Sequence, residues 1–246
     1  MITSLIFSFL LSPNALLIAA AVVPAAVLMI YVYRQDKLER EPTGMLVGLL
    51  LFGALATVLA VVTESIGAVA LAWFLPSGEG SRAYNIWMYF IVVGLSEEGF
   101  KYLLLRWRTW RSREFNCRFD GVVYAAFVSL GFALCENIGY VLMYGLGAAM
   151  LRAITAIPGH ASFGVFMGAC YGMARGCANR GEKDKSQIWS LLALLLPTLI
   201  HGYYDYIAIG ASENNTATFI VFVVIVFIAA FLLVRRLSKT DRYISF

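Results

Sequence analysis

Apolar stretches long enough to cross a lipid bilayer recur along this chain, and they restrict it to a membrane-embedded helical fold. A spanning helix needs about 20 mostly apolar residues, because each adds about 1.5 Å across a hydrocarbon core about 30 Å thick. The 246 residues are 61% hydrophobic and only 14% charged, which excludes a soluble domain of this length. The predicted spans are residues 15–33, 43–75, 84–105, 120–144, 153–173, 188–209 and 218–234. We therefore predict an all-α polytopic transmembrane helix bundle of about seven spans, forming a single domain over residues 1–246.

The positions of the basic residues predict how these spans are oriented. Cytoplasmic connections of membrane proteins are enriched in Lys and Arg. Sixteen of the nineteen Lys and Arg residues lie in the connections 34–42, 106–118 and 175–187 and in the tail from residue 235. Because these segments alternate with segments that hold only two Lys or Arg residues in total, the N-terminus is expected outside and the C-terminus in the cytoplasm. The 43–75 run, about 50 Å long as a helix, is expected to cross once and to tilt, break near Gly67 or end at the interface.

Three ionisable residues, Glu97, Glu98 and Lys101, lie in the middle of the third predicted span. A charge near the bilayer centre costs about 2.5 to 3.5 kcal/mol on insertion scales, so such residues face a protein interior or a wet cavity and mark function. On a helix the lysine can pair with either carboxylate, because they are three and four residues away. Two carboxylates and one ammonium leave a proton to be shared. The alternative is an ion pair that only locks helices together.

Three further spans carry ionisable side chains at a similar depth. Glu136, His160 and His201 each lie about 12 Å from the outer end of their helix, with Asp205 one turn from His201 and Glu97 slightly deeper. These carboxylates and both histidines of the chain are therefore expected to meet in one site on the outer side of the membrane midplane. The four-residue spacing of His201 and Asp205 suits an Asp that orients a His or two ligands of one metal. A structural hydrogen bond would use the same spacing.

Other features of the spans are weaker signals. A ridge of glycines follows His160 at four-residue steps, at Gly164, Gly168, Gly172 and Gly176. Small-residue ridges let helices approach closely, so His160 is expected to face a neighbouring helix and not lipid. Asp120 could be no more than a charge at a helix N-terminus, and the position of Glu64 is not predicted. The four cysteines show no CxxC spacing and are expected to be free thiols.

Taken in chain order, these residues resemble the successive motifs of a known family. The motifs are Glu97-Glu98-x-x-Lys101, Phe119-Asp120-Gly121-x-x-Tyr124, Gly131-Phe132-Ala133 leading to Glu136-Asn137, His160, and His201-x-x-x-Asp205. They are similar to those of the PrsW family of bacterial intramembrane proteases, and residues 36–42 are similar to its acidic first cytoplasmic loop. The similarity covers residues 31–206, and residues 210–246 add a last span and a basic tail.

The resemblance implies an endopeptidase of the bacterial inner membrane that cleaves single-span membrane proteins, the founding example being first-site cleavage of an anti-sigma factor. It implies that Glu97 and Glu98 activate water, that His160 and His201 complete the site and that Asp205 orients His201. Further candidate site residues from the same motifs are Lys101, Glu136 and Asn137.

Peptide hydrolysis needs an activated water and a stabilised oxyanion. A carboxylate beside a histidine can supply the first, and a protonated histidine, the Asn137 amide or a metal the second. Alternatively, His160, His201, Asp205 and one glutamate could hold Zn²⁺ while the other glutamate acts as base, and the sequence does not distinguish these mechanisms. The rival class is a proton-coupled transporter or channel, although the chain lacks the internal repeat typical of transporters. The expected partners are a single-span membrane-protein substrate, cut near its extracytoplasmic side, and membrane lipids, with no nucleic acid.

Overall fold

A computed structural model describes residues 13–75, 78, 80–209 and 213–244 of the chain. Within these residues the protein has seven helical segments and no β-strand. The segments are α1 (Pro13–Gln35), α2 (Thr43–Phe74), α3 (82–109), α4 (Asp120–Ile154), α5 (Ala156–Asn179), α6 (Lys183–Ile209) and α7 (Glu213–Lys239). In the described part of the chain, five of them, α2 and α4 to α7, are long and apolar enough to span a membrane. The prediction of an all-α transmembrane bundle is therefore confirmed.

The helices extend beyond several predicted span boundaries. The fourth span was expected to end at Tyr144, but α4 continues to Ile154. It does so through a kink at Gly145, whose φ of 76° and ψ of −164° are not helical and suit glycine, which has no Cβ. In contrast, α2 runs without a break through Gly67 to Phe74, so the break considered there does not occur. At about 1.5 Å per residue this helix is about 48 Å long, well beyond the thickness of a hydrocarbon core.

The third segment is not a uniform α-helix. It consists of the α-helical Arg82–Ile86, the π-helical Trp87–Leu95 and the α-helical Ser96–Thr109. Long π-helical stretches are rare, and π-bulges are frequent at functional sites. Here the π-helical stretch ends at Leu95, two residues before Glu97, so it sets how the following turn is rotated toward the neighbouring helices.

Helices α4 and α5 form the centre of the bundle, with α1 and α2 packed on α4, and α6 and α7 packed on α5. Their contact is close because glycines face each other: a Cβ added to Gly168 would lie less than 3.0 Å from the backbone of Gly121 and Val122. A Cβ on Gly164 would meet the side chain of Ser129 as closely. The predicted role of the glycine ridge in helix packing is thus confirmed. The four cysteines are free, as expected.

The connections rich in basic residues meet at one end of the bundle. The Ser238 hydroxyl donates to the Gln35 carbonyl at 2.5 Å, and the Ile244 amide donates to the Asn116 carbonyl at 2.6 Å. The side-chain amide of Asn116 also donates to Glu39 at 3.0 Å. The segments 36–42, 110–119 and 240–244 therefore lie side by side, as their alternation along the chain predicts.

Candidate active site

The first turn of Ser96–Thr109 brings two carboxylates onto one ammonium. Lys101 Nζ lies 2.7 Å from Glu98 Oε1 and 3.2 Å from Glu97 Oε2. All three residues are buried, with Glu98 and Lys101 completely so. The predicted spacing of three and four residues is therefore realised as a double ion pair. Because one cation faces two carboxyl groups, further compensation must come from other helices.

Lys101 joins α3 to both central helices. Its Nζ lies 3.1 Å from His160 Nδ1 on α5 and 3.8 Å from the centre of the Phe132 ring on α4. An ammonium has three donors, and Glu97, Glu98 and His160 use all of them. The lysine is thus held by its charge partners and by the face of an aromatic ring.

These contacts define the proton arrangement of His160. Since its Nδ1 accepts from the Lys101 ammonium, its Nε2 carries the hydrogen and donates to Glu136 Oε2 at 3.0 Å. The same Glu136 oxygen accepts from Arg152 Nη2 at 2.5 Å. The guanidinium carbon of Arg152 in turn lies 3.8 Å from the centre of the Tyr140 ring. His160 faces neighbouring helices, as expected, and is 4% exposed.

His201 reaches the same cluster from α6. Its Nδ1 lies 3.0 Å from Glu98 Oε1, and its Nε2 lies 3.4 Å from Asp205 Oδ2. The ring stacks on Phe163 with 4.8 Å between ring centres. Because each ring nitrogen faces a carboxylate, both contacts are hydrogen bonds only when the ring carries two protons or one carboxyl group is protonated. Asp205 lies where its carboxylate can orient the His201 ring through Nε2.

A cavity of about 410 Å³ opens beside this cluster. Five of the predicted site residues line it, namely Glu97, Glu136, His160, His201 and Asp205. The other three, Glu98, Lys101 and Asn137, are not among its described lining residues, and all three are completely buried. The structure therefore separates side chains that can touch a substrate from side chains that support them.

Two charged residues of the cavity were not predicted to belong to the site. Glu64 on α2 lines the cavity, and its Oε1 is buried without a hydrogen-bond partner among the described residues. An ionisable residue inside an apolar span marked Glu64 as a candidate, but the sequence did not predict where its helix would pack. Arg152 lies between the predicted spans 120–144 and 153–173 and was therefore expected in an outer connection, whereas the extension of α4 past Gly145 brings it onto Glu136. The tyrosines that line the cavity, Tyr89, Tyr140 and Tyr204, had been assigned to no site.

The residue types in this cluster suit a metal ion, but the Lys101 ammonium already lies between them. Among the described residues, ligand atoms of Glu97, Glu98, His160 and His201 lie within 4.8 Å of one another, and such nitrogen and oxygen donors suit Zn²⁺. Asp205, expected as a ligand, lies outside this group because it faces the far nitrogen of the His201 ring. The Lys101 ammonium contacts three of the four residues. Metal binding among them therefore requires this ammonium to move.

Comparison with known proteins follows the same motifs. Residues 41–233 match the sequence profile of the PrsW family of intramembrane metalloproteases. The chain is 31% identical to Protease PrsW of Oceanobacillus iheyensis over 223 residues, which cover 91% of this chain and 96% of that protein. It is 31% identical to Protease PrsW of Halalkalibacterium halodurans, covering 92% and 99%, and 31% identical to that of Bacillus subtilis, covering 80% and 84%. No solved structure matches the chain significantly.

Proposed function

Because the chain belongs to the PrsW family of intramembrane proteases, we propose that it cleaves single-span membrane proteins in the cavity lined by Glu97, His160 and His201. The observation that carries the proposal is a carboxylate and two histidines on one polar cavity inside a bundle of membrane-spanning helices. Family membership favours proteolysis over the proton-coupled transport that buried carboxylates and histidines would also suit.

Glu97 is the proposed general base. Its carboxylate lines the cavity, whereas Glu98 is completely buried behind it. In this proposal Glu97 takes a proton from a water molecule, and the hydroxide attacks the carbonyl carbon of the scissile peptide bond. The proton then passes from Glu97 to the leaving amine as the carbon–nitrogen bond breaks. General base catalysis of this kind contributes about 10² to 10⁴ to the rate.

His201 is the proposed donor to the oxyanion. Its Nε2 is the less committed of its two nitrogens, since the 3.4 Å contact to Asp205 is longer than the 3.0 Å contact of Nδ1 to Glu98. An N–H aimed at the developing negative charge stabilises the tetrahedral intermediate. Glu98 is then the positioning residue that holds the ring through Nδ1. Asp205 orients Nε2 in the free protein, and this contact opens when the single Nε2 hydrogen turns to the oxyanion.

Lys101 and Glu136 are proposed as further positioning residues. Lys101 keeps Glu97 and His160 in fixed places, and Glu136 holds the other side of the His160 ring. Asn137, expected as an oxyanion donor, is buried away from the described cavity lining, so His201 takes that role in this proposal. Were a zinc ion held by Glu98, His160 and His201, it would supply a Lewis acid for water and carbonyl and would leave Glu97 free as the base.

The proposed setting is a bacterial inner membrane with the N-terminus outside and the C-terminus in the cytoplasm. The charge bias of the connections supports this orientation. In this orientation the cavity would lie on the extracytoplasmic side of the bundle. A substrate backbone must unwind there, which is tolerated in a membrane only where protein or water satisfies the freed groups. Following the resemblance to the PrsW family, we propose a single-span regulator, such as an anti-sigma factor, as the substrate.

Cleavage of a single-span reporter by the purified protein in detergent tests the assignment. Glu97→Gln removes the base but keeps the shape of the side chain, so cleavage should fall by about 10²-fold or more. His201→Ala should have a similar effect. The control is Asp184→Asn, an exposed change on the same helix as His201, which should cleave at the parent rate.

Addition and removal of a chelator complete this experiment. Loss of activity on chelation, restored by Zn²⁺, would assign the metal-dependent form of the mechanism, and full activity in chelator would assign the glutamate-dependent form. Parent-like cleavage by both Glu97→Gln and His201→Ala would show that the cavity is not the active site.

A further inference from the structure

A second group of buried carboxylates lies at the other end of the bundle. Asp36 and Glu41 from the connection between α1 and α2 meet Asp120 at the start of α4, with one ligand oxygen of each within 4.8 Å of the others. They are 2%, 4% and 1% exposed. Asp120 and Glu136 are 16 residues apart on α4, which at 1.5 Å per residue is about 24 Å. This group is therefore separate from the proposed active site.

The Asp36 side chain is the observation that points to a ligand. Both of its carboxylate oxygens are buried, and neither has a hydrogen-bond partner among the described residues. The backbone N–H of Glu41 is near enough to lower the pKa of Asp36, against the larger effect of burial, which raises it. A buried carboxylate without partners is costly, and native structures rarely leave one without an ion, water or donor.

The other two carboxylates are only partly satisfied. Glu41 Oε2 accepts from the Tyr124 hydroxyl at 2.6 Å. Asp120 Oδ2 accepts from the backbone amides of Cys117 and Asn116 at 2.6 and 2.9 Å, while its Oδ1 has no described partner. The sequence had suggested only a helix N-terminus charge at Asp120. The structure gives it two further carboxylates as neighbours.

No described cation compensates this group. Among the salt bridges of the described residues, none involves Asp36, Glu41 or Asp120. Burial, followed by repulsion from other carboxylates, raises the pKa of Asp36 to about 6, and Arg40 opposes this only weakly. Burial also raises the pKa of Glu41 to about 7, although the Tyr124 hydrogen bond lowers it. Without a cation, burial and repulsion therefore disfavour ionisation of Asp36 and Glu41.

The geometry points to a divalent cation site formed by Asp36, Glu41 and Asp120. Oxygen ligands alone suit hard cations such as Ca²⁺ or Mg²⁺. Oxygens up to 4.8 Å apart can be bridged by a calcium ion whose ligands lie at about 2.3 to 2.6 Å. Water molecules would complete its coordination, as is usual for these ions.

Such a cation would fasten together two segments that are distant in sequence. Asp36 and Glu41 belong to the connection 36–42, and Asp120 fixes the backbone that precedes α4. The C-terminal tail joins the same region, since Asp241 accepts from the Phe119 amide at 2.9 Å. The site would therefore stabilise the bundle from the end opposite to the cavity, and this inference does not depend on the proposed function.

Binding of Mn²⁺ to the purified full chain in detergent tests the site. Electron paramagnetic resonance measures the concentration of free Mn²⁺, and the bound fraction follows by difference. The parent protein and the Glu97→Gln variant are first stripped of metal with a chelator, which is then removed. The parent should bind Mn²⁺ at this site, and the Glu97→Gln variant should still bind one Mn²⁺ there. Asp36→Asn keeps the shape of the side chain and should weaken this binding by at least about tenfold, the scale of losses at metal sites. Glu114→Gln removes an exposed neighbouring charge and should change it much less.

Thermal melting in the same samples separates a cation from shared protons. CaCl₂ or MgCl₂ should raise the melting temperature of the parent and of Glu114→Gln but not that of Asp36→Asn. Should Asp36→Asn not fold, Glu41→Gln replaces it and should lose the same shift. The inference is overturned if no Mn²⁺ remains bound in Glu97→Gln, if Asp36→Asn binds like the parent, or if divalent cations leave the parent melting temperature unchanged.

Discussion

Replacement of Lys101 by methionine should destabilise the protein severely, because it leaves two buried carboxylates without their cation. Lys101 is completely buried and lies within 3.2 Å of Glu97, Glu98 and His160. Methionine has a similar unbranched shape, so the change removes the charge and little volume. Breaking a buried ion pair by removing one partner costs about 3 to 5 kcal/mol. We expect the free energy of unfolding of Lys101→Met to fall by about this amount.

The chain provides a matched control on its surface. Lys185 pairs with Glu182, also three residues away, at 3.3 Å, but its side chain is 69% exposed. Exposed pairs are worth about 0 to 1 kcal/mol, so Lys185→Met should have nearly the stability of the parent. Denaturant titration in detergent, followed by circular dichroism, measures both variants under the same conditions.

A double variant separates lost charge compensation from lost packing. Adding Glu98→Gln to Lys101→Met removes one uncompensated carboxylate, so part of the lost stability should return. If Lys101→Met differed from Lys185→Met by less than about 1 kcal/mol, burial of an uncompensated charge would not be what holds this cluster together. The same conclusion would follow if the double variant were less stable than Lys101→Met alone.

Three further results are expected. A periplasmic-active reporter should be active when fused after Ala211 and inactive after Arg180, and the reverse would invert the orientation drawn from the basic residues. Gly168→Ala should cost about 1 to 3 kcal/mol of stability by overpacking α4 against α5. Gly48→Ala is the control, because an added Cβ there meets nothing within 4 Å, and it should change stability by about 0.5 kcal/mol or less. Equal effects of the two variants would contradict the close helix contact. Mass spectrometry of a cleaved single-span reporter should place the cut at or just within its extracytoplasmic boundary; a cut at the cytoplasmic boundary would show that the cavity opens the other way.

The sequence alone predicted the helical architecture and most of the candidate site residues. A bilayer leaves a spanning chain few alternatives to helices, so the apolar runs predict them. The cost of ionisable groups in such runs marks the candidates, and helical spacing alone joins Lys101 to Glu97 and Glu98. These properties are local, and local sequence therefore suffices to predict them.

The tertiary structure decided which of these side chains face the cavity. Glu97 and Glu98 are neighbours in sequence, but the rotation of α3 after its π-helical stretch exposes one to the cavity and buries the other. Glu64 joins the site through the packing of α2 in the bundle, and Arg152 joins it because α4 continues past the kink at Gly145. Likewise, the contact of Asp36 and Glu41 with Asp120 links residues about 80 positions apart. Helix rotation and long-range contacts depend on how whole segments pack, and no local pattern in the sequence encodes them.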